Sequence, residues 1–298
     1  MKAWNLLLLF LIFSITPAFS LDRFILTADE TVIGEILHYT VSDNETLLDI
    51  ARTYDLGYNQ IVLANPGVDP WIPPKGLRLV IPKMFVLPPE SRTGIIVNLP
   101  EMRLYYFRRE GENLVVYTAP VGIGTEGKLT TEGLYTIYHK KEKPYWHVPE
   151  SIRKEDPTLP PVVPPGPDNP LGDYALYLSR EAYAIHGTNR PWGIGRRVSH
   201  GCIRLYPEDI EALFPLVPIG TPVKVIYQPT KLGVKGNTVY LQVFPDIEKR
   251  FPDPILEVIK QAAFLEDLTG KNLLLDFFKV RKYIKKADGI PRPVGQIR

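Results

Sequence analysis

Cysteine is nearly absent from this chain: 298 residues hold one, Cys202. No internal disulfide can form, and a dithiol redox pair within the chain is excluded. Zinc sites built on two or more cysteines are excluded with them. A dominant charge is missing too. Thirty-five Lys and Arg face 33 Asp and Glu, a net charge of +2, so no broad cationic field speaks for nucleic acid. After residue 20 no apolar run approaches the roughly 20 residues a spanning helix needs. What the chain has in excess is proline. Its 30 prolines are about twice the usual share of roughly 5%, and they cluster at loops and joints.

The first twenty residues stand apart. Lys2 gives a short basic start, residues 6–15 an almost unbroken apolar run, and Ala18-Phe19-Ser20 a small-x-small cleavage site. A secretory signal peptide over residues 1–20 is expected, cut after Ser20, with an uncleaved anchor as the alternative. Export changes the meaning of Cys202. A buried, inert cysteine is a small hydrophobe. A single thiol outside the cytosol is a liability unless it has work to do, and its neighbourhood decides between the two.

Residues 38–82 read as strand, helix, helix, strand. Tyr39-Thr40-Val41 opens as a strand, Asp43 or Asn44 caps the helix that follows, and Leu47, Leu48, Ile50 and Ala51 form its apolar side. Gly57 ends it, Asn59 to Ala64 form a second helix, and residues 77–81 alternate as a strand. Residues 83–92 read as a linker. The next stretch is rich in short β-branched and aromatic runs, at 95–97, 103–107, 114–117, 133–138, 174–178, 184–185 and 222–226, which predicts a mostly β domain. Seven prolines fall in residues 157–170. Such a segment is neither helix interior nor central strand. It forms a loop that either covers a cleft or crosses plain surface. After residue 228 the apolar spacing of Ile255, Val258, Ile259, Ala262 and Ala263, then Leu273, Leu274, Phe277 and Phe278, predicts two helices divided by Gly270, with Asp253-Pro254 as cap and first turn.

The chemistry gathers in residues 186–205, which hold two of the five His, the only Cys, four Arg and four Gly. Thiol attack needs a base or a cation beside the sulfur and donors for the oxyanion. Gly201 before Cys202 lets backbone approach a substrate, and the amide of Cys202, with that of Gly201, could serve the oxyanion. Arg204 shares a face with Cys202 if the run is extended. Either His200 or His186 could be the base. His186, His200 and Cys202 make three potential metal ligands, yet no fourth ligand or conventional spacing accompanies them.

Two resemblances follow from these motifs. The 38–82 segment is similar to a LysM domain, in its Tyr-Thr-Val opening, Glu45-Thr46-Leu47 leading to Ile50-Ala51, Leu63-Ala64-Asn65-Pro66, and Gly76-x-x-Leu79-x-Ile81-Pro82. The resemblance implies binding of N-acetylglucosamine-containing glycans through Asp43, Asn44, Glu45 and Thr46 with Leu63, Ala64, Asn65, Pro66 and Gly67. Its usual Gly-Asp-Thr-Leu phrase here reads Asn44-Glu45-Thr46-Leu47. Residues 93–227 resemble the L,D-transpeptidase catalytic domain of the YkuD family, through His186-Gly187 and Ser199-His200-Gly201-Cys202-Ile203-Arg204. Ala119-Pro120-Val121-Gly122, Tyr145-Trp146-x-x-Pro149 and Leu171-Gly172 extend the likeness, and Thr131 departs from the family's usual Pro.

The resemblance implies a mostly β, sandwich-like catalytic domain, preceded by a βααβ LysM domain and followed by a helical C-terminal extension over 228–298. It implies Cys202 as nucleophile, His186 as base oriented by the Gly187 carbonyl, Ser199, His200 and Gly201 shaping the site, and Arg204 holding carboxylate or structure near the thiolate. No cofactor and no metal are implied. The substrate implied is the peptidoglycan tetrapeptide stem, cut between its third and fourth residues in the periplasm. The acyl group then passes to a diaminopimelate amine, to the lysine of an outer-membrane lipoprotein, or to water in a carboxypeptidase or lipoprotein-releasing hydrolase. An inactive peptidoglycan-binding wall protein is the non-enzymatic alternative.

Overall fold

The computed structural model describes residues 21–27, 30–180 and 183–298. The expected signal peptide lies outside the described residues. The strands expected from β-branched and aromatic runs form a single curled nine-stranded sheet rather than a sandwich of two. Its spatial order is Asp22–Leu26, Asn113–Pro120, Arg103–Glu110, Gly94–Asn98, Pro222–Ile226, Gly133–Glu142, Tyr174–Leu178, Ala184–His186 and Ile203–Arg204. Both faces of its middle are covered, so alternation along a strand sends successive residues to different cores. Ile95, Val97, Leu104 and Tyr106 join one core with Ile137, Leu176, Ile185 and Leu213. Ile96, Tyr105 and Phe107 join the other, with Leu47, Ile50, Leu79, Ile81 and Phe85 of the N-terminal unit. That unit therefore completes its core on the back of the nine-stranded sheet. Each such buried side chain contributes about 1.5–3 kcal/mol.

Within the unit, strands Val32–Thr40 and Arg78–Val86 pair antiparallel, and helices Leu47–Thr53 and Tyr58–Ala64 lie between them in sequence. The strand reaches Val86, so the first four residues of the expected linker at 83–92 are strand. The cap is also corrected. Thr46, not Asp43 or Asn44, caps the first helix: its Oγ1 accepts from the Asp49 amide at 3.1 Å, and Asp49 returns a bond to the Thr46 amide. Gly57 does not end that helix but begins the second.

The unit docks by polar contacts as well. Arg52 forms a two-point ion pair with Glu208, at 2.7 and 2.8 Å. Gly195 sits at φ +76, and a Cβ there would lie 2.2 Å from the Tyr58 amide nitrogen, so only glycine lets the two backbones meet. Between them lie two buried carboxyls, Asp55 of the unit and Asp209 of the helix Pro207–Leu216. Neither oxygen of Asp55 has an N–H donor, nor does Oδ2 of Asp209. Burial first, then the neighbouring carboxylate Asp22, raise Asp55 to about 7 against Lys83 and Arg103, which pull it down. Burial and then Asp55 raise Asp209 well above the carboxylate range. The folded chain thus holds protons that the unfolded chain releases near pH 4. Stability is highest at low pH in this window and falls as pH rises through about 7. The melting temperature is expected to be several degrees higher at pH 5.5 than at pH 8, and Asp55→Asn to reduce that difference by raising the value at pH 8, with buried Asp209 keeping the rest. An unchanged pH slope in Asp55→Asn would overturn this account.

The C-terminal region is not the expected pair of helices alone. It is a four-stranded sheet, Thr230–Lys235, Thr238–Val243, Arg292–Ile297 and Leu273–Leu275, packed with helices Pro254–Thr269 and Phe277–Lys286. Asp253 does cap the first helix, and Gly270 closes it in the left-handed region. Leu273 and Leu274, expected in a helix, form a strand edge instead.

Candidate active site

Only two strand pairs in the nine-stranded sheet are parallel. One joins Ala184–His186 to Ile203–Arg204, pairing Ile185 with Ile203 and His186 with Arg204. Parallel neighbours cannot be joined by a hairpin and need a crossover of about a dozen residues or more. The interval between His186 and Cys202 is that crossover. The same register sets Ala184 beside Cys202, whose thiol is hydrogen-bonded with the Ala184 backbone. Alternation then puts Cys202, Arg204 and His186 on one face of the sheet. All three line a cleft of about 390 Å³, with Ser199 and His200 on its wall.

His186 is 3% exposed. Its Nδ1 is 2.6 Å from the Gly187 carbonyl oxygen, which can only accept. Nδ1 therefore carries the hydrogen and Nε2 keeps a lone pair. Burial, then the Arg204 charge, push His186 down to about 3, against the carbonyls of Gly187 and Leu171. The imidazole is neutral at any working pH. Burial also raises the Cys202 thiol, against the Ala184 hydrogen bond and Arg204. The resting pair is thus neutral thiol and neutral imidazole, not thiolate and imidazolium. Such a pair reacts by proton transfer to Nε2 as the sulfur attacks.

The turn carrying Cys202 is held from both sides. Ser199 Oγ donates to the Cys202 carbonyl at 2.6 Å and accepts from the Gly201 amide at 3.1 Å. Thr130 Oγ1 donates to the Gly201 carbonyl at 2.9 Å. Gly201 stands at φ +109, and a Cβ there would lie 3.1 Å from the Tyr183 ring. This corrects one expectation: the Gly201 amide is engaged by Ser199 and does not face an oxyanion. His200 also separates from the thiol's neighbours. It is exposed, with Nε2 3.2 Å from Glu155, which in turn pairs with Lys128.

The proline-rich segment lines the cleft through Leu159, Asp168, Pro170 and Leu171. Val162–Val163 pairs with Trp146–His147. Buried Asn169 pins the segment, donating to the Pro144 carbonyl at 2.8 Å and accepting from the Leu171 amide at 2.9 Å. Glu155 was not foreseen in the site, and Leu171, Asn189 and Arg190 fell within the quoted motifs without a role assigned to them. The Leu171 contribution is a backbone carbonyl, which any residue type supplies. The others are common surface residues with no spacing to mark them.

The N-terminal glycan-binding candidates split into two groups. Asp43, Asn44, Pro66 and Gly67 are exposed, Glu45, Thr46 and Leu63 partly so, while Ala64 and Asn65 are buried. Asn65 serves the fold, bridging Ile61 and Val80 through three hydrogen bonds. Asp43 pairs across to Lys75 on the facing loop at 2.5 Å. Among the described residues no cluster of His, Cys, Asp or Glu is placed to hold a metal ion, and no helix is long and apolar enough to cross a membrane.

A buried imidazole and a guanidinium on paired strands, with a half-buried thiol just before the second strand, are the groups that cysteine acyl transfer needs. The L,D-transpeptidase catalytic domain family model (YkuD) matches residues 92–225. The chain is 38% identical over 277 residues to the "Probable L,D-transpeptidase ErfK/SrfK" of Salmonella typhimurium, covering 87% of this chain and 86% of that protein. It is 44% identical over 207 residues to its Escherichia coli namesake, covering 67% and 66%. It is 38% identical over 276 residues to the E. coli "Probable L,D-transpeptidase YbiS", covering 89% of each. The chain belongs to the L,D-transpeptidase family.

Proposed function

We propose that this chain is a periplasmic cysteine L,D-transpeptidase that acts on peptidoglycan tetrapeptide stems. The observation that carries the reading is the placement of Cys202 and the neutral, oriented His186 on one face of the cleft. Cys202 Sγ attacks the carbonyl of the third stem residue while His186 Nε2 takes the thiol proton. The C–N bond to the fourth residue breaks, Nε2 protonates the departing amine, and a thioester remains. An incoming amine then attacks, giving its proton to Nε2, and the thiol is restored. That amine belongs to a diaminopimelate residue, forming a 3-3 crosslink, or to the lysine of an outer-membrane lipoprotein. Ser199 and Gly201 hold the nucleophile's turn, and His200 shapes the mouth of the cleft. The Val32–Val86 unit serves as a LysM module for N-acetylglucosamine-containing glycan. Its exposed Asp43, Asn44, Pro66 and Gly67 support this, with Glu45, Thr46 and Leu63 at the edge; buried Ala64 and Asn65 act through the fold.

The test is a muropeptide profile after expression of the chain with and without the lipoprotein acceptor. New 3-3 linked dimers, or lipoprotein-bearing muropeptides, are expected only with intact Cys202. Tripeptides alone would point to water as the acceptor and to a hydrolase.

A further inference from the structure

The near balance of charge across the chain conceals a concentration at its C-terminal end. Residues 271–298 hold eight Lys or Arg and two Asp, against a net charge of +2 for all 298 residues. The helix Phe277–Lys286 carries five of those cations and no acid. Its inward side faces the C-terminal core, where Val280 is fully buried and Tyr283 and Ile284 pack beside it. Residues three, four and seven apart share a helix face, so Phe278, Arg281, Lys282 and Lys285 turn together to the opposite side. All four are exposed, Phe278 to 89%. The two acids of the region are engaged by other cations, Asp276 by Lys279 and Asp288 by Lys286 and Arg292. Among the described residues Arg281, Lys282 and Lys285 form no ion pair. Nor is Phe278 a frayed end. Asp276 caps the helix, accepting from the Phe278 and Lys279 amides at 3.0 and 3.1 Å. The strand Leu273–Leu275 leads into that turn at the free edge of the four-stranded sheet, and both Leu274 and Phe277 are exposed there.

A single exposed apolar side chain is ordinary on a protein surface. Here Leu274, Phe277 and Phe278 stand exposed at one turn, and three cations without a carboxylate share the face of Phe278. We propose that this face is a docking surface for an anionic phospholipid bilayer. Phe278 enters the headgroup region, with Leu274 and Phe277 at its edge, and Arg281, Lys282 and Lys285 meet the lipid phosphates. The chemistry selects the occupant. A polyanionic glycan would answer the cations and leave Leu274 and Phe278 in water. A neutral protein groove would cover the apolar side chains and leave three charges unanswered. An anionic bilayer satisfies both, because its phosphates lie above the hydrocarbon, where long basic side chains snorkel. The two contributions act together, since one small apolar insert or one short basic patch alone holds a protein only weakly. The contact is peripheral: a ten-residue helix with its other side in the core lies on the bilayer and does not cross it. This docking is independent of the acyl chemistry.

The experiment uses the chain from Leu21 onward, so that the apolar leader adds no lipid affinity of its own. Co-sedimentation is measured with vesicles of phosphatidylcholine alone and of phosphatidylcholine with about 30% phosphatidylglycerol, at low and high salt. The wild type is expected to partition at least about tenfold more strongly to the anionic vesicles and to lose most of that preference at high salt. The triple variant Arg281→Gln, Lys282→Gln, Lys285→Gln should fall to the level of the neutral vesicles, and Phe278→Ser should bind several-fold less at unchanged charge. All four side chains are exposed, so these substitutions leave the core intact. Insertion is read separately in Phe278→Trp, whose added fluorescence should shift to the blue on the anionic vesicles. A wild type indifferent to phosphatidylglycerol, or a triple variant that binds as the wild type does, overturns the proposal. So does a Phe278→Trp signal unmoved by bound vesicles, which would leave only adsorbed charge. Isolated peptidoglycan sacculi form the last arm. Binding there that is lost in the triple variant, without vesicle binding, would assign the face to the wall polymer and overturn the bilayer.

Discussion

Cys202→Ala is expected to abolish acyl-enzyme formation outright, and the wild-type thiol to be sluggish toward reagents that attack thiolates. Both follow from one electrostatic fact. Burial disfavours the thiolate, and the same burial, with Arg204, disfavours the imidazolium. The pair has nothing to gain at rest from moving the proton, unlike a thiolate–imidazolium couple. Incubation with tetrapeptide stem or a carbapenem should add one acyl mass to the wild type and nothing to Cys202→Ala. Alkylation by iodoacetamide should be slow at pH 7 and accelerate only above the ordinary thiol range near 8.5. Rapid alkylation at pH 5–6 would show a preformed ion pair and sink the neutral-pair mechanism. A wild type that takes no adduct would remove the enzyme reading altogether.

The candidate site was legible in outline because its spacing encodes topology. The sixteen-residue interval from His186 to Cys202 is a parallel crossover, so motif and fold carry the same information. What escaped notice was carried by atoms or residues without signature. The Leu171 carbonyl beside His186 belongs to the backbone, and Arg190 is one arginine among several. The Gly201 amide was misjudged for a related reason. Adjacency to the nucleophile suggested an oxyanion donor, but Ser199, two residues earlier, claims that amide. Side-chain to backbone competition of this kind depends on the turn's actual path.

The fold was legible where the period was clear. The strand Tyr174–Leu178 and the strand Pro222–Ile226 match their sequence runs residue for residue. Leu273–Leu275 failed because three apolar residues in a row satisfy both helical and extended patterns. The helix cap failed because Ser42, Asp43, Asn44 and Thr46 all bear capping groups. The deciding feature is the reciprocal Thr46–Asp49 pair, a capping box in miniature. Asp22–Leu26 went unread as a strand, since five residues with modest alternation declare nothing until the Asn113–Pro120 edge is there to pair with. The docking of the N-terminal unit was invisible for a similar reason. Ile96, Tyr105 and Phe107 look like one face of an ordinary half-buried strand, and only the second core says what covers them.

His186→Ala should cost at least about a thousandfold in acylation, the middle of the range for loss of a general base, whereas His200→Ala should retain much of the rate. The asymmetry follows from placement. His186 is buried, with Nδ1 tied to the Gly187 carbonyl and Nε2 left to work on the thiol's side of the sheet. His200 is exposed and bonded to Glu155 at the cleft mouth. The pH profile separates the two histidines further. A base whose pKa is about 3 is deprotonated throughout the neutral and mildly acidic range. Acylation should then stay level on the acid side down to about pH 4 and fail only as the imidazole gains its proton near 3. A limb near 6.5, the ordinary imidazole value, would mean that His186 is solvated or that another histidine is the base. To keep acid unfolding out of the reading, the rate is measured by brief pH jumps followed by return to neutrality, with recovered activity as the control. If His200→Ala loses more than His186→Ala, the assignment of base and rim is reversed, and the buried imidazole must instead be serving the fold.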